Sequence, residues 1–117
     1  MTTVFHIALA DDWEASIGQG EYEAATRGVL YQPGGHIRAT TASGVRAVLD
    51  GRYRDVRLPL LLVRLDAEAL DAAGSPVEFG PGEEVRIRGT IPSGDPDVVR
   101  GTEHLARDAD SWRSPQL

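Results

Sequence analysis

The run Pro59-Leu60-Leu61-Leu62-Val63-Arg64-Leu65 is nearly continuous apolar sequence of strand length. A strand without a polar face is stable only where both faces are covered, so this run predicts a central strand with packing on each side. The other strand-like segments alternate instead. In Val4-Phe5-His6-Ile7-Ala8-Leu9, period-2 spacing sets Phe5, Ile7 and Leu9 on one face and His6 on the other. His36-Ile37-Arg38-Ala39-Thr40 sets His36, Arg38 and Thr40 against Ile37 and Ala39, and Glu84-Val85-Arg86-Ile87-Arg88 repeats the pattern. Val77-Glu78-Phe79 and residues 98–105 read as further strands.

Short helices fall between these strands. Asp11 has the character of an N-cap with Glu14 as its capping-box partner, and Trp13 and Ile17 stand at i and i+4 of a helix that ends near Gly18 or Gly20. Thr41 or Ser43 can cap a second helix with an apolar stripe of Val45, Val48 and Leu49 and Gly51 as its stop. Residues 66–70 have the composition of one helical turn. Residues 21–35 read as an irregular connection, because Gly28, Pro33, Gly34 and Gly35 interrupt Val29-Leu30-Tyr31. The order β-α-β-α followed by strands predicts an α+β fold. A chain of 117 residues has room for one core, and 41% hydrophobic with 26% charged residues are proportions of an ordered domain. Residues 1–107 are expected to form that domain and residues 108–117 a polar C-terminal tail.

What the chain lacks narrows its chemistry. With no cysteine there is no disulfide, thiolate nucleophile or cysteine-zinc site. All 12 basic residues are arginine, which excludes a lysine Schiff base and a P-loop lysine. The net charge of −6 and the scattering of the arginines argue against a nucleic-acid partner. No apolar stretch reaches the length of a membrane span, and the start Met1-Thr2-Thr3-Val4-Phe5 lacks the pattern of a signal peptide, so a soluble cytoplasmic protein is expected. Three histidines without close spacing do not suggest a metal site. Gly18-Gln19-Gly20 lacks the third glycine of a dinucleotide fingerprint, and no Gly-x-Ser-x-Gly elbow occurs.

The polar strand faces carry the remaining signal. If His6, the trio His36, Arg38 and Thr40, and the pair Arg86 and Arg88 converge, they line a cationic cleft in an acidic protein, suited to a small anionic or polar metabolite. The alternative is a solvated face, or cross-strand ion pairs with Glu78, Glu83 or Glu84. Likewise His6 is either a proton-transfer group or a buried imidazole bonded to backbone, while His104 reads as exposed.

Phe5-His6-Ile7, Asp12-Trp13, Gly20-Glu21-Tyr22, the segment from His36 to Thr40 after Gly35, Leu60-Leu61-Leu62-Val63 and Gly89-Thr90-Ile91-Pro92 follow one another in an order and spacing that resembles the small bacterial domain-of-unknown-function family 952 (DUF952). The likeness spans most of the chain, from Val4 to about Trp112. It implies an ADP-ribosyltransferase-like architecture in which small mixed or antiparallel sheets enclose a central cleft. Members usually carry histidine where this chain has Arg38 and Arg86. Histidine exchanges protons near neutral pH and arginine does not, so the departures replace proton transfer with fixed positive charge.

Together these readings suggest a cofactor-independent enzyme, monomeric or homodimeric, performing a cyclisation, isomerisation or hydrolysis. Arg38 and Arg86 would act as anchors or oxyanion stabilisers and His6 or His36 as the proton-transfer group, with Trp13, Thr40, Arg88 and Glu103 contacting substrate. A transferase using NAD, with Glu103 as its carboxylate, and a non-catalytic binding module are the alternatives.

Overall fold

The structure is a computed structural model that describes residues 2–26, 29–30 and 34–117. In chain order it contains β1 (Thr3–Leu9), α1 (Ala10–Gln19), β2 (Ala24–Thr26), β3 (Val29–Leu30), β4 (Ile37–Thr40), α2 (Val45–Arg52), β5 (Leu60–Asp66), α3 (Ala67–Ala72), β6 (Val77–Phe79), β7 (Glu84–Ile87) and β8 (Val99–His104). The fold is α+β. Strands expected as several small sheets join instead in one six-stranded antiparallel sheet, ordered β6-β7-β4-β1-β5-β8, with β2 and β3 forming a separate ribbon. Part of the expected irregular connection is thus a ribbon, while Gly28, Tyr31 and Pro33 lie outside the described residues.

The apolar run at β5 occupies an interior position between β1 and β8, and both of its faces are covered. Val63, Leu61 and Leu65 join Val4, Ala8, Ile37, Ala39, Val85 and Ile87 in a core closed by Trp13 of α1 and Leu70 of α3. Leu60 and Leu62 join Phe5 and Ile7 in a second core, closed by Val45 and Leu49 of α2 and by Tyr53 and Val56. Two layers of helix on one sheet explain why so many of the residues of β1 and β5 are buried.

Local chemistry moves several element ends. α1 begins directly after β1, with Leu9 at the cap position and no side-chain cap, so Asp11 lies in the first turn, where a carboxylate favours the helix dipole. Its buried residues are Ala10, Trp13 and Ser16, spaced by three, which turns Ile17 outward to 54% exposure. Gly20 closes the helix in the left-handed conformation, at φ 85°. Gly51 does not stop α2, which ends after Arg52 where Tyr53 turns into the second core and its hydroxyl donates to the Ile7 carbonyl at 3.0 Å. The single turn after β5 is the third helix, α3, with Asp66 as its N-cap accepting from the backbone N–H groups of Glu68 and Ala69. Residues 108–117 are anchored: Trp112 is 4% exposed, and its indole N–H donates to the Tyr53 carbonyl at 2.7 Å.

Candidate functional site

Antiparallel register decides which polar residues can meet. Phe5 opposes Thr40 across β1 and β4, and Arg38 opposes Arg86 across β4 and β7. Opposed residues share a face, as do residues two apart on one strand. Phe5, Ile7, Arg38, Thr40, Glu84 and Arg86 therefore all point to the α2 side, and Glu78, which opposes Arg86, joins them. His6 has the other parity and points to the α1 side. The expected convergence of His6 with the arginines does not occur.

His6 is instead a buried structural imidazole, 1% exposed. Its Nδ1 lies 2.6 Å from the Arg38 carbonyl oxygen, which can only accept, so Nδ1 carries the proton. Nε2 then accepts from the Tyr22 hydroxyl at 3.0 Å. The two rings meet edge to face at 5.1 Å, and Tyr22 also lies 5.1 Å from Trp13. Burial lowers the His6 pKa to about 4, against a smaller opposing effect of the Arg38 carbonyl, and burial raises that of the Tyr22 hydroxyl. The imidazole is neutral and both ring nitrogens are engaged. Trp13, 3% exposed in the same core, cannot wall a pocket on the arginine face.

On the α2 side a cleft of about 400 Å³ opens between the β1 and β4 part of the sheet and α2. Phe5, Ile7 and Thr40 form its floor, Ala47, Val48 and Tyr53 its helical wall, and Arg38, Arg52, Glu83 and Glu84 its charged margin. A 3-10 turn over Ala42–Gly44 leads into α2 and sits tightly on the sheet. A Cβ on Gly44 would come within 2.0 Å of the Thr40 hydroxyl and 2.7 Å of the Glu83 Cβ, so glycine is needed at this close approach. Thr40, expected to contact substrate, lines the cleft with its hydroxyl within donating distance of the Thr41 and Glu83 carbonyls, at 3.1 and 3.2 Å.

The arginines do gather on this face, and most are paired. Arg86 meets Glu84 at 2.9 Å, and Arg88 meets Glu78 at 2.9 Å while also donating to the Gly35 carbonyl at 3.3 Å. Arg38 has a looser contact, 3.9 Å to the second Glu84 oxygen. Both the converging cationic face and the cross-strand ion pairs are therefore present. Partial burial, then Arg38, Arg88 and Arg86 in that order, lower the His36 pKa, which favours its neutral form. Glu103 shares the face but stands on the edge strand β8, paired with Arg64 at 3.2 Å, and does not line the cleft.

Sequence reasoning missed Arg52, Glu83, Phe5, Ile7 and Val48 as cleft residues. Alternation had marked Phe5 and Ile7 as core, and their role follows only from α2 covering part of their face. Arg52 lay beyond the expected helix stop at Gly51, and nothing local tied it to a sheet; in the structure it stands in the last turn of α2. A smaller hollow of about 220 Å³ lies beside α1, lined by Asp12, Gln19, Glu21, Tyr22 and Glu23 among others. Among the described residues no group of three His, Cys, Asp or Glu side chains could hold a metal ion, and no helix is long and apolar enough to cross a membrane.

No family model matches the chain, and no curated protein matches it. Solved structures do. The crystal structure of protein CC0527 from Caulobacter crescentus superposes with a TM-score of 0.73 at 19% identity, covering 95% of this chain and 92% of that one. A double mutant of the same protein gives a TM-score of 0.73 at 18% identity over the same shares. The fold is common to this chain and CC0527.

Proposed function

We propose that the protein binds a small amphipathic anion in the α2 cleft, with the apolar body against Phe5, Ile7 and Val48 and the anionic group facing Arg38 and Arg52. The observation that carries this reading is the joining of an apolar floor to a guanidinium margin in one hollow of about 400 Å³, a usual size for a small-ligand site. Arg38 is the sheet arginine best placed for a ligand, because its glutamate contact is long at 3.9 Å and a carboxylate can replace it without breaking a close pair.

Chemistry of the cyclisation, isomerisation or hydrolysis type belongs to the same proposal, with altered roles. His6 drops out as the proton-transfer group, and His36, on the same strand face as Arg38 but outside the cleft lining, is the histidine left to serve as base. The arginines stabilise developing negative charge. Membership of the DUF952 family is proposed on one further ground: three of the residues that carry the resemblance, His6, Trp13 and Tyr22, pack as one buried unit. A shared packing cluster is a reason for such residues to recur together.

Indole-3-propionate is a suitable probe, being an apolar ring with one carboxylate. Titration followed by NMR is expected to give saturable shifts at Ile7 and Val48, and Arg38→Gln is expected to weaken binding about three- to tenfold. Shifts absent from the cleft, or an affinity that neither Arg38→Gln nor Arg52→Gln changes, would overturn the proposal.

A further inference from the structure

The charges at the margin of the cleft are of two kinds. Glu84 is committed to Arg86 and Arg38. Glu83 and Arg52 are not: among the described residues neither has an oppositely charged partner. Both are exposed side chains, yet Glu83 is held in place. Its backbone carbonyl accepts from the Thr41 N–H at 3.1 Å and from the Thr40 hydroxyl at 3.2 Å, and its Oε2 accepts from the Thr41 hydroxyl. Its Cβ stands where a side chain on Gly44 would have to go. A carboxylate fixed in this way, with Oε1 unengaged among the described residues, offers a standing site for a cationic donor beside the apolar floor.

A plain anion in the cleft would gain from Arg38 and Arg52 but would stand in the field of Glu83. A ligand carrying both signs satisfies the margin at each place. From this we infer that the occupant is a zwitterion of the α-amino-acid type with a large apolar side chain, its carboxylate on the guanidinium side and its ammonium on Glu83. This rests on the cleft being a ligand site, and it adds the second charge and the residue that selects for it. A volume of about 400 Å³ accommodates an indole-sized body together with the two charged groups.

Three probes that share one ring separate the charges. L-tryptophan carries both, indole-3-propionate only the carboxylate, and tryptamine only the ammonium. Calorimetry on the full chain is expected to rank L-tryptophan first, ahead of indole-3-propionate by roughly three- to fivefold, the worth of one exposed charged contact, with tryptamine behind both. Glu83→Gln keeps an acceptor for the Thr41 hydroxyl and removes the charge, and it is expected to abolish the preference for L-tryptophan while leaving indole-3-propionate binding as tight or tighter. If indole-3-propionate binds as well as L-tryptophan to the unaltered protein, the zwitterion is wrong and the anion site stands. If L-tryptophan keeps its advantage in Glu83→Gln, Glu83 is not the selecting group and the inference fails. If none of the three binds at millimolar concentration, the inference and the ligand-binding reading fall together.

Discussion

The two faces of the central sheet received similar sequence and used it differently. On the α1 face, His6 stands among apolar residues and is absorbed: both ring nitrogens are bonded, and Trp13, Tyr22 and Ala39 belong to the surrounding core. On the α2 face, Arg38, Arg86 and Arg88 stand at the same kind of alternate position and stay partly in water, because α2 packs on Phe5, Ile7, Leu60 and Leu62 of β1 and β5 and the arginines lie beyond that packing. A polar residue in an alternating strand thus has no fate of its own. Register assigns it a face, and the length of the covering helix decides whether that face becomes core or cleft.

Equal truncations on the two faces should sharpen this contrast, and the largest effect belongs to the α1 face. His6→Ala removes a filled ring and strands two buried groups, the Arg38 carbonyl and the Tyr22 hydroxyl, at a cost of roughly 3–5 kcal/mol. Arg86→Ala removes a half-exposed guanidinium whose ion pair contributes about 1 kcal/mol or less. Urea unfolding of both variants measures the difference. Comparable losses would mean that the faces are not divided in this way.

Much of this division was legible in the sequence, and the part that was not is a matter of long-range register. The run at β5 announced a doubly covered strand, and the alternation of β4 and β7 set Arg38 and Arg86 on the faces opposite their strands' apolar residues, because period-2 patterning is a local property. Whether His6 shared their face depended on Phe5 pairing with Thr40, a contact across 35 residues of chain that a shift of one position would have reversed. The helix α1 and its end at Gly20 were legible, but its buried face was not: it follows Ala10, Trp13 and Ser16 with spacing three, and the polar Ser16 disguised it. Ser16 is tolerated there because its hydroxyl donates back to the Trp13 carbonyl at 2.6 Å. The cleft itself was invisible, since Glu83, just before β7, is far in sequence from Val48 and Arg52, which stand one turn apart on α2.

Acidification should weaken the α1 face before it disturbs the α2 face. An unfolded chain binds a proton at a histidine near pH 6.5, whereas folded His6 binds one only near pH 4. Between these values the unfolded state holds more protons, so stability falls as pH falls. The contribution is fully present above pH 6.5 and has been lost by pH 4, a span worth roughly 3 kcal/mol. His6→Gln is already less stable at neutral pH but should lose less on acidification from pH 7 to pH 4.5. A variant whose stability falls as steeply as that of the parent over this range would show that His6 is not the titrating group.

The smallest effect lies on the α2 face and reads out its field directly. His36 shares that side with the arginines, and after its partial burial the causes of its lowered pKa are Arg38, Arg88 and Arg86, opposed by Glu84. Removing a cation that repels the imidazolium must raise the pKa, so Arg38→Gln and Arg88→Gln should each move the His36 titration upward, and Arg86→Gln should do so less. Glu84→Gln should move it downward, because the one attractive charge is lost. NMR titration of the His36 imidazole in each variant, compared with the parent protein, follows these shifts. Because the four substitutions predict two opposite directions, a general loosening of the fold cannot mimic the pattern: loosening relieves burial and moves His36 upward in every variant. A downward shift confined to Glu84→Gln would mark His36 as sitting inside the charged margin, while a uniform upward shift would separate it from the arginine face altogether.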